Sequence, residues 1–170
     1  ARYARRSIRN SYSNTIAFYE EKLRSKSIKK ASIIPNFERA IDNDSIQVYL
    51  QPKCSARNDC IIGAEALSRF YDEDGELLSP ALYVPILEKA GIVSRLDYHV
   101  LEKSVELLCK WQEEGRELFP ISVNLSRVDL IEDDFIESLD RLVEEAGLDK
   151  KYIEFELTET VLAKDLDMII

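Results

Sequence analysis

Glu65, Asn124 and Glu156 are the residues of this chain whose types and placement best suit chemistry. Each lies near the C-terminal end of a segment that reads as a strand: GAEALSR, ISVN and YIEFEL. A parallel strand buried on both faces should be a nearly unbroken apolar run, so a polar side chain there is costly unless something meets it. In α/β folds ligands gather at the C-terminal ends of strands, where the three side chains would converge. Two carboxylates and a carboxamide form a hard, all-oxygen set suited to Mg²⁺ or Mn²⁺, or to Ca²⁺, rather than to zinc. A second reading places the same side chains in structural hydrogen bonds or salt bridges, Glu65 with Arg69 for example. Glu154, deeper along its strand, is assigned a structural role. His99 is the lone histidine and sits inside a helical pattern, which rules out a multi-histidine site. Cys54, Cys60 and Cys109 fit no zinc spacing and read as reduced thiols.

The elements that must position these residues follow from periodicity and punctuation. A helix is predicted over 35–43, opening at Pro35. Strands over 46–51 and 61–68 flank CSARND, a turn-like segment, and predict a hairpin. Gln47, Tyr49 and Gln51 fall on one side of the first strand, and Gly63, Glu65, Leu67 and Arg69 on one side of the second. Ser79 and Pro80 open a helix that Gly91 closes. The next helix is expected to start at Ser94 with Asp97 completing a variant capping box, and to end at Gly115. A strand (119–124), an amphipathic helix (134–147), a strand (152–157) and the start of another helix complete the order. Alternation of strand and helix after the hairpin predicts parallel strands joined by right-handed crossovers, in a barrel or an open doubly wound sheet.

Composition narrows the function classes. The 170 residues carry a net charge of −9, which argues against sequence-independent binding to DNA or RNA but leaves room for a small anion held through metal ions. Five glycines leave no glycine-rich phosphate loop, and no apolar run of ~18 residues predicts a membrane span. A cytoplasmic chain is expected, which leaves room for a parent protein that is membrane-anchored through other regions.

Several motifs resemble those of one family. EAL at Glu65–Leu67, YLQPK at 49–53, SPALYVPILEKAGIVSRLDYHVL at 79–101, SVNLS at 122–126 and ELTET at 156–160 resemble, in order and spacing, the EAL domain of bacterial cyclic-di-GMP phosphodiesterases. The resemblance covers about residues 36–170. It implies an α/β fold, a (β/α)₈ TIM-like barrel whose first strand is antiparallel, of which the first half, about four strands, is present. It also implies hydrolysis of cyclic-di-GMP to pGpG with Mg²⁺ or Mn²⁺, two ions in the complete domain. Carried over by motif, Glu65, Asn124 and Glu156 resemble metal ligands, with Glu65 and Glu159 counted as catalytic. Arg69 and Gln51 resemble substrate contacts, and Glu159 resembles the second glutamate of an E-x-x-E motif that supports a loop near the site.

The chain departs from the family in length, since an EAL domain runs to roughly 240 residues, in the range of such barrels. The family's paired aspartates, catalytic lysine and later glutamate and glutamine are absent, so these 170 residues alone are expected to be inactive and prone to aggregation or pairing, a homodimer included. The alternative to an enzyme is a degenerate EAL domain acting as a non-catalytic cyclic-di-GMP receptor. Residues 1–30 read as a linker helix or tail of an upstream domain, resembling the end of a GGDEF domain, with 31–170 forming the half EAL domain.

Overall fold

A computed structural model of the chain describes residues 21–126 and 134–157. Helix α1 (Glu21–Asp42) leads into an antiparallel hairpin of β1 (Gln47–Cys54) and β2 (Ile61–Tyr71). A two-residue strand β3 (Leu77–Leu78) folds back on the end of β2. Helices α2 (Pro80–Ala90) and α3 (Val93–Glu113) precede β4 (Ile121–Leu125). Helix α4 (Phe135–Glu145) and a 3₁₀ turn (Lys150–Tyr152) then lead to β5 (Ile153–Leu157). The strand order is β1-β2-β4-β5, with β2, β4 and β5 parallel and β1 antiparallel. That sequence of pairings is the first half of a TIM-like barrel with a reversed first strand.

The two faces of the sheet separate by residue parity. Ala64, Ala66 and Phe70 of β2 and Ile121, Val123 and Leu125 of β4 are all buried. All of these but Ala64 join one apolar cluster with Tyr83 and Leu87 of α2, Val100, Leu101, Val105 and Leu108 of α3, and Leu139 and Val143 of α4. Fully burying a side chain of this size contributes about 1.5–3 kcal/mol, so this helix-covered face holds the arc together. Phe70 is clasped edge-on by Phe37 of α1 (centroids 6.3 Å apart) and by Tyr83 (5.6 Å), linking both helices to the hairpin. The opposite face carries the polar residues.

Two helix starts differ from expectation. Helix α1 does not open at Pro35 but runs through it. Pro35 faces solvent, while Ile33, Phe37 and Ala40 dock the helix on the core, so tertiary burial outweighs the lost backbone hydrogen bond. Helix α3 begins at Val93 with Ile92 as its cap residue and no side-chain cap. Ser94 is buried and its Oγ has no hydrogen-bond partner, and Asp97 accepts a hydrogen bond from the Ser126 backbone N–H at 3.1 Å. The expected capping box is therefore absent: its acid ties α3 to the segment leaving β4. Helix α2 follows expectation, with Pro80 in its first turn and Gly91 at φ 70° in the left-handed conformation that glycine adopts without steric cost. The expected helix at 162–170 lies outside the described residues.

Candidate functional site

The registers align the polar residues in rows. Gln51 pairs with Glu65, Glu65 with Ser122, Ser122 with Glu154, and Asn124 with Glu156. Because side chains alternate along a strand, Tyr49, Gln51 and Lys53 of β1, Glu65 and Arg69 of β2, Ser122 and Asn124 of β4, and Glu154 and Glu156 of β5 share one face, opposite the helices. The helical connections bring β4 and β5 back parallel to β2, which is why residues distant in sequence become neighbours.

On this face Asn124 Nδ2 donates to Glu65 Oε1 at 2.7 Å. The pairing of Glu65 with Arg69 considered from sequence does not form. Arg69 instead donates from Nη1 to the Ser68 carbonyl at 3.0 Å, and its guanidinium lies over the Tyr49 ring, 5.4 Å from the centroid. Arg69 and Asn124 also line a cavity of about 220 Å³ at the C-terminal ends of β2 and β4, between the sheet and helices α2 and α3. Gln51 is exposed, on the strand next to Glu65.

Glu156 meets a lysine. Lys53 Nζ lies 2.5 Å from Glu156 Oε1, 2.5 Å from Ser122 Oγ and 3.7 Å from Glu154 Oε2. Ser122, fully buried, donates its hydroxyl to Glu154 Oε2 at 2.8 Å. The hydrogen bond from Lys53 holds the Glu156 carboxyl below its usual range, and the same bond raises the Lys53 ammonium above its own. Glu154 is thus engaged in the hydrogen bonding expected of a structural residue.

Lys53 is a side chain of the polar face whose ion pairing the sequence reading passed over. The periodicity predicts a first strand that ends at Gln51, short of Lys53. In the structure β1 is an edge strand among the described residues and carries Pro52 through to Cys54. Continuing the parity of Gln47, Tyr49 and Gln51 by one step would have found Lys53. Its register partner is Gly63, where a Cβ would sit 3.0 Å from the Pro120 carbonyl oxygen and in ordinary contact, 3.8 Å, with Lys53 Cδ.

The donor chemistry of Glu65, Asn124 and Glu156 fits a hard divalent ion: all three offer oxygen, and they lie on neighbouring strands of one face. Among the described residues no group of three or more His, Cys, Asp and Glu side chains is gathered tightly enough to hold an ion without the carboxamide. Glu159 lies outside the described residues. His99 is buried, with Nε2 donating to the Ile46 carbonyl at 3.0 Å, a structural role. The three cysteines are free. No helix among the described residues is long and apolar enough to cross a membrane.

A partial barrel with a reversed first strand and a polar face rich in carboxylates defines the class of protein. The chain belongs to the EAL domain family, whose model matches residues 35–169. Over 154 residues it is 24% identical to the bifunctional diguanylate cyclase/cyclic di-GMP phosphodiesterase MucR of Pseudomonas aeruginosa, covering 91% of this chain and 22% of that protein. It is 27% identical over 130 residues to the cyclic di-GMP phosphodiesterase PdeR of Escherichia coli, covering 76% and 19%. It therefore spans about a fifth of the length of these curated relatives. The structure of the MucR phosphodiesterase in complex with c-di-GMP superimposes with a TM-score of 0.73 at 25% identity, over 80% of this chain and 55% of that one. The FimX EAL domain of Pseudomonas aeruginosa bound to c-di-GMP shares the fold, with a TM-score of 0.70 at 24% identity, over 80% and 54%.

Proposed function

We propose that this chain contributes the first-half site of a cyclic-di-GMP phosphodiesterase that hydrolyses the cyclic dinucleotide to linear pGpG. The observation that carries the reading is the 2.7 Å contact between Asn124 and Glu65, with Glu156 in register beside Asn124 on the same face. Membership of the EAL family and the named activities of MucR and PdeR support it.

In this reading Glu65, Asn124 and Glu156 hold Mg²⁺ or Mn²⁺. A divalent ion bound there sharpens a water into a nucleophile and offsets charge developing on the phosphodiester. Arg69, braced by the Tyr49 ring and the Ser68 carbonyl on the same face as Glu65, is read as forming charge-assisted hydrogen bonds to a substrate phosphate. Gln51 contacts the substrate from the adjacent strand, and Glu159 supports the loop beyond Glu156. The cation also lets an acidic face accept an anionic substrate. An upstream GGDEF-like domain ending within residues 1–30, a cytoplasmic setting and pairing of two copies belong to the same proposal.

The test is turnover and calorimetric binding of cyclic-di-GMP in the intact protein with Mn²⁺. Glu65→Ala is expected to abolish turnover, and normal turnover in that variant refutes the ligand assignment. Arg69→Ala is expected to weaken cyclic-di-GMP binding more than Mn²⁺ binding. Tight cyclic-di-GMP binding by the unmodified protein without turnover supports the receptor role instead.

A further inference from the structure

The polar face carries its own cation. Glu154 and Glu156 are two residues apart on β5 and so point to the same side, where like charges destabilise each other unless a positive group intervenes. Lys53 reaches them across two intervening strands, passing Gly63, with Nζ between Glu156 Oε1 and Ser122 Oγ and within 3.7 Å of Glu154 Oε2. Ser122 ties this arrangement together, its hydroxyl oxygen lying 2.8 Å from Glu154 Oε2 and 2.5 Å from the ammonium. An ammonium is a compact point charge on a flexible stem, able to leave without disturbing the backbone.

We infer that Lys53 is a built-in counter-ion that occupies Glu156 when no metal is bound and is displaced when a divalent ion takes that carboxylate. The inference rests on the metal-ligand reading of Glu156 given above and adds a residue outside that ligand set. Lys53 and the ion compete for one oxygen donor. The side chains of Lys53 and Glu156 keep 36% and 39% of their exposure, so the pair is neither fully desolvated nor fixed, and a doubly charged ion can replace it. The lysine therefore keeps the metal-free face charge-balanced and sets the concentration at which metal enters.

The experiment is Mn²⁺ titration calorimetry on the intact protein, with thermal unfolding in the presence of chelator and at saturating Mn²⁺. Lys53→Met removes the charge and keeps the stem. It is expected to bind Mn²⁺ about fivefold more tightly, equivalent to about 1 kcal/mol. It is also expected to melt lower than the unmodified protein in chelator, with the difference shrinking at saturating Mn²⁺. Ser122→Ala, which loosens the lysine without removing it, should shift affinity the same way by a smaller factor and covers the case in which Lys53→Met fails to fold. Lys53→Arg keeps the charge and should not tighten binding. Mn²⁺ affinity that is unchanged or weaker in both Lys53→Met and Ser122→Ala overturns the competition while leaving the metal site intact. Absence of Mn²⁺ binding in every variant and in the unmodified protein overturns the metal reading itself, and the competition with it.

Discussion

Asp97 gives the sharpest test of how the site is built. Its carboxylate takes the N–H of Ser126, two residues beyond Asn124, and Asp97 and Ser126 are both buried. Hydrogen bonds to a charged acceptor contribute about 1.5–3 kcal/mol. Asp97→Ala is therefore expected to cost about 2 kcal/mol, lowering the melting temperature of a cooperative unit of this size by about 4–8 °C. Asp97→Asn, which keeps an acceptor oxygen, should cost about half as much. Ser94 supplies the counter-measurement. Its buried Oγ has no partner, so Ser94→Ala removes a desolvated hydroxyl and should leave stability unchanged or raise it by up to about 1 kcal/mol. If the two residues formed a capping box at the start of α3, Ser94→Ala would instead destabilise by about 1 kcal/mol. Urea unfolding followed by circular dichroism reads all three variants. A destabilised Ser94→Ala, or an Asp97→Ala as stable as the unmodified protein, refutes the tie between α3 and the end of β4. Mn²⁺ affinity should fall in Asp97→Ala more than in Asp97→Asn, because the chain that leaves Asn124 loses its anchor.

Other expectations follow from the same packing. Gly63→Ala places a methyl 3.0 Å from the Pro120 carbonyl, which cannot retreat freely because it accepts the Ala64 N–H at 2.9 Å. The cost should be about 1–3 kcal/mol in urea unfolding, and an unchanged midpoint contradicts the close approach. Tyr83 is buried against Phe70 with its hydroxyl 2.7 Å from Ser68 Oγ, and burial raises its pKa above the usual value near 10. The unfolded chain thus loses this proton first as pH rises. Tyr83 therefore contributes a fall in stability above about pH 10, by up to ~1.4 kcal/mol per pH unit, until the folded tyrosine also ionises. Tyr83→Phe should flatten that part of the alkaline slope, and an identical slope in the variant removes Tyr83 as its source.

The sequence by itself determined the hairpin, the alternation of strand and helix after it, and the side of each strand on which Glu65, Asn124 and Glu156 lie. Strand periodicity is local and strict, so one apolar face assigns every polar residue of a strand to the other side. Helix α2 was legible for the same reason: its start and stop depend on Ser79, Pro80 and Gly91, whose backbone preferences are intrinsic. Motif resemblance added the family, which periodicity could not, because a barrel and an open sheet share the same alternation. Only the tertiary structure decided what meets each polar group. Pro35 sits inside a helix because Ile33, Phe37 and Ala40 bury the turns around it. Asp97 serves the segment after β4 rather than its own helix because that segment is brought against α3. Glu65 answers to Asn124 and Glu156 to Lys53, partners 59 and 103 residues away along the chain. Propensity and periodicity act over a few residues, whereas a charge on the sheet face is satisfied by whatever the assembled strands place within about 3 Å of it, and that distance is a property of the fold.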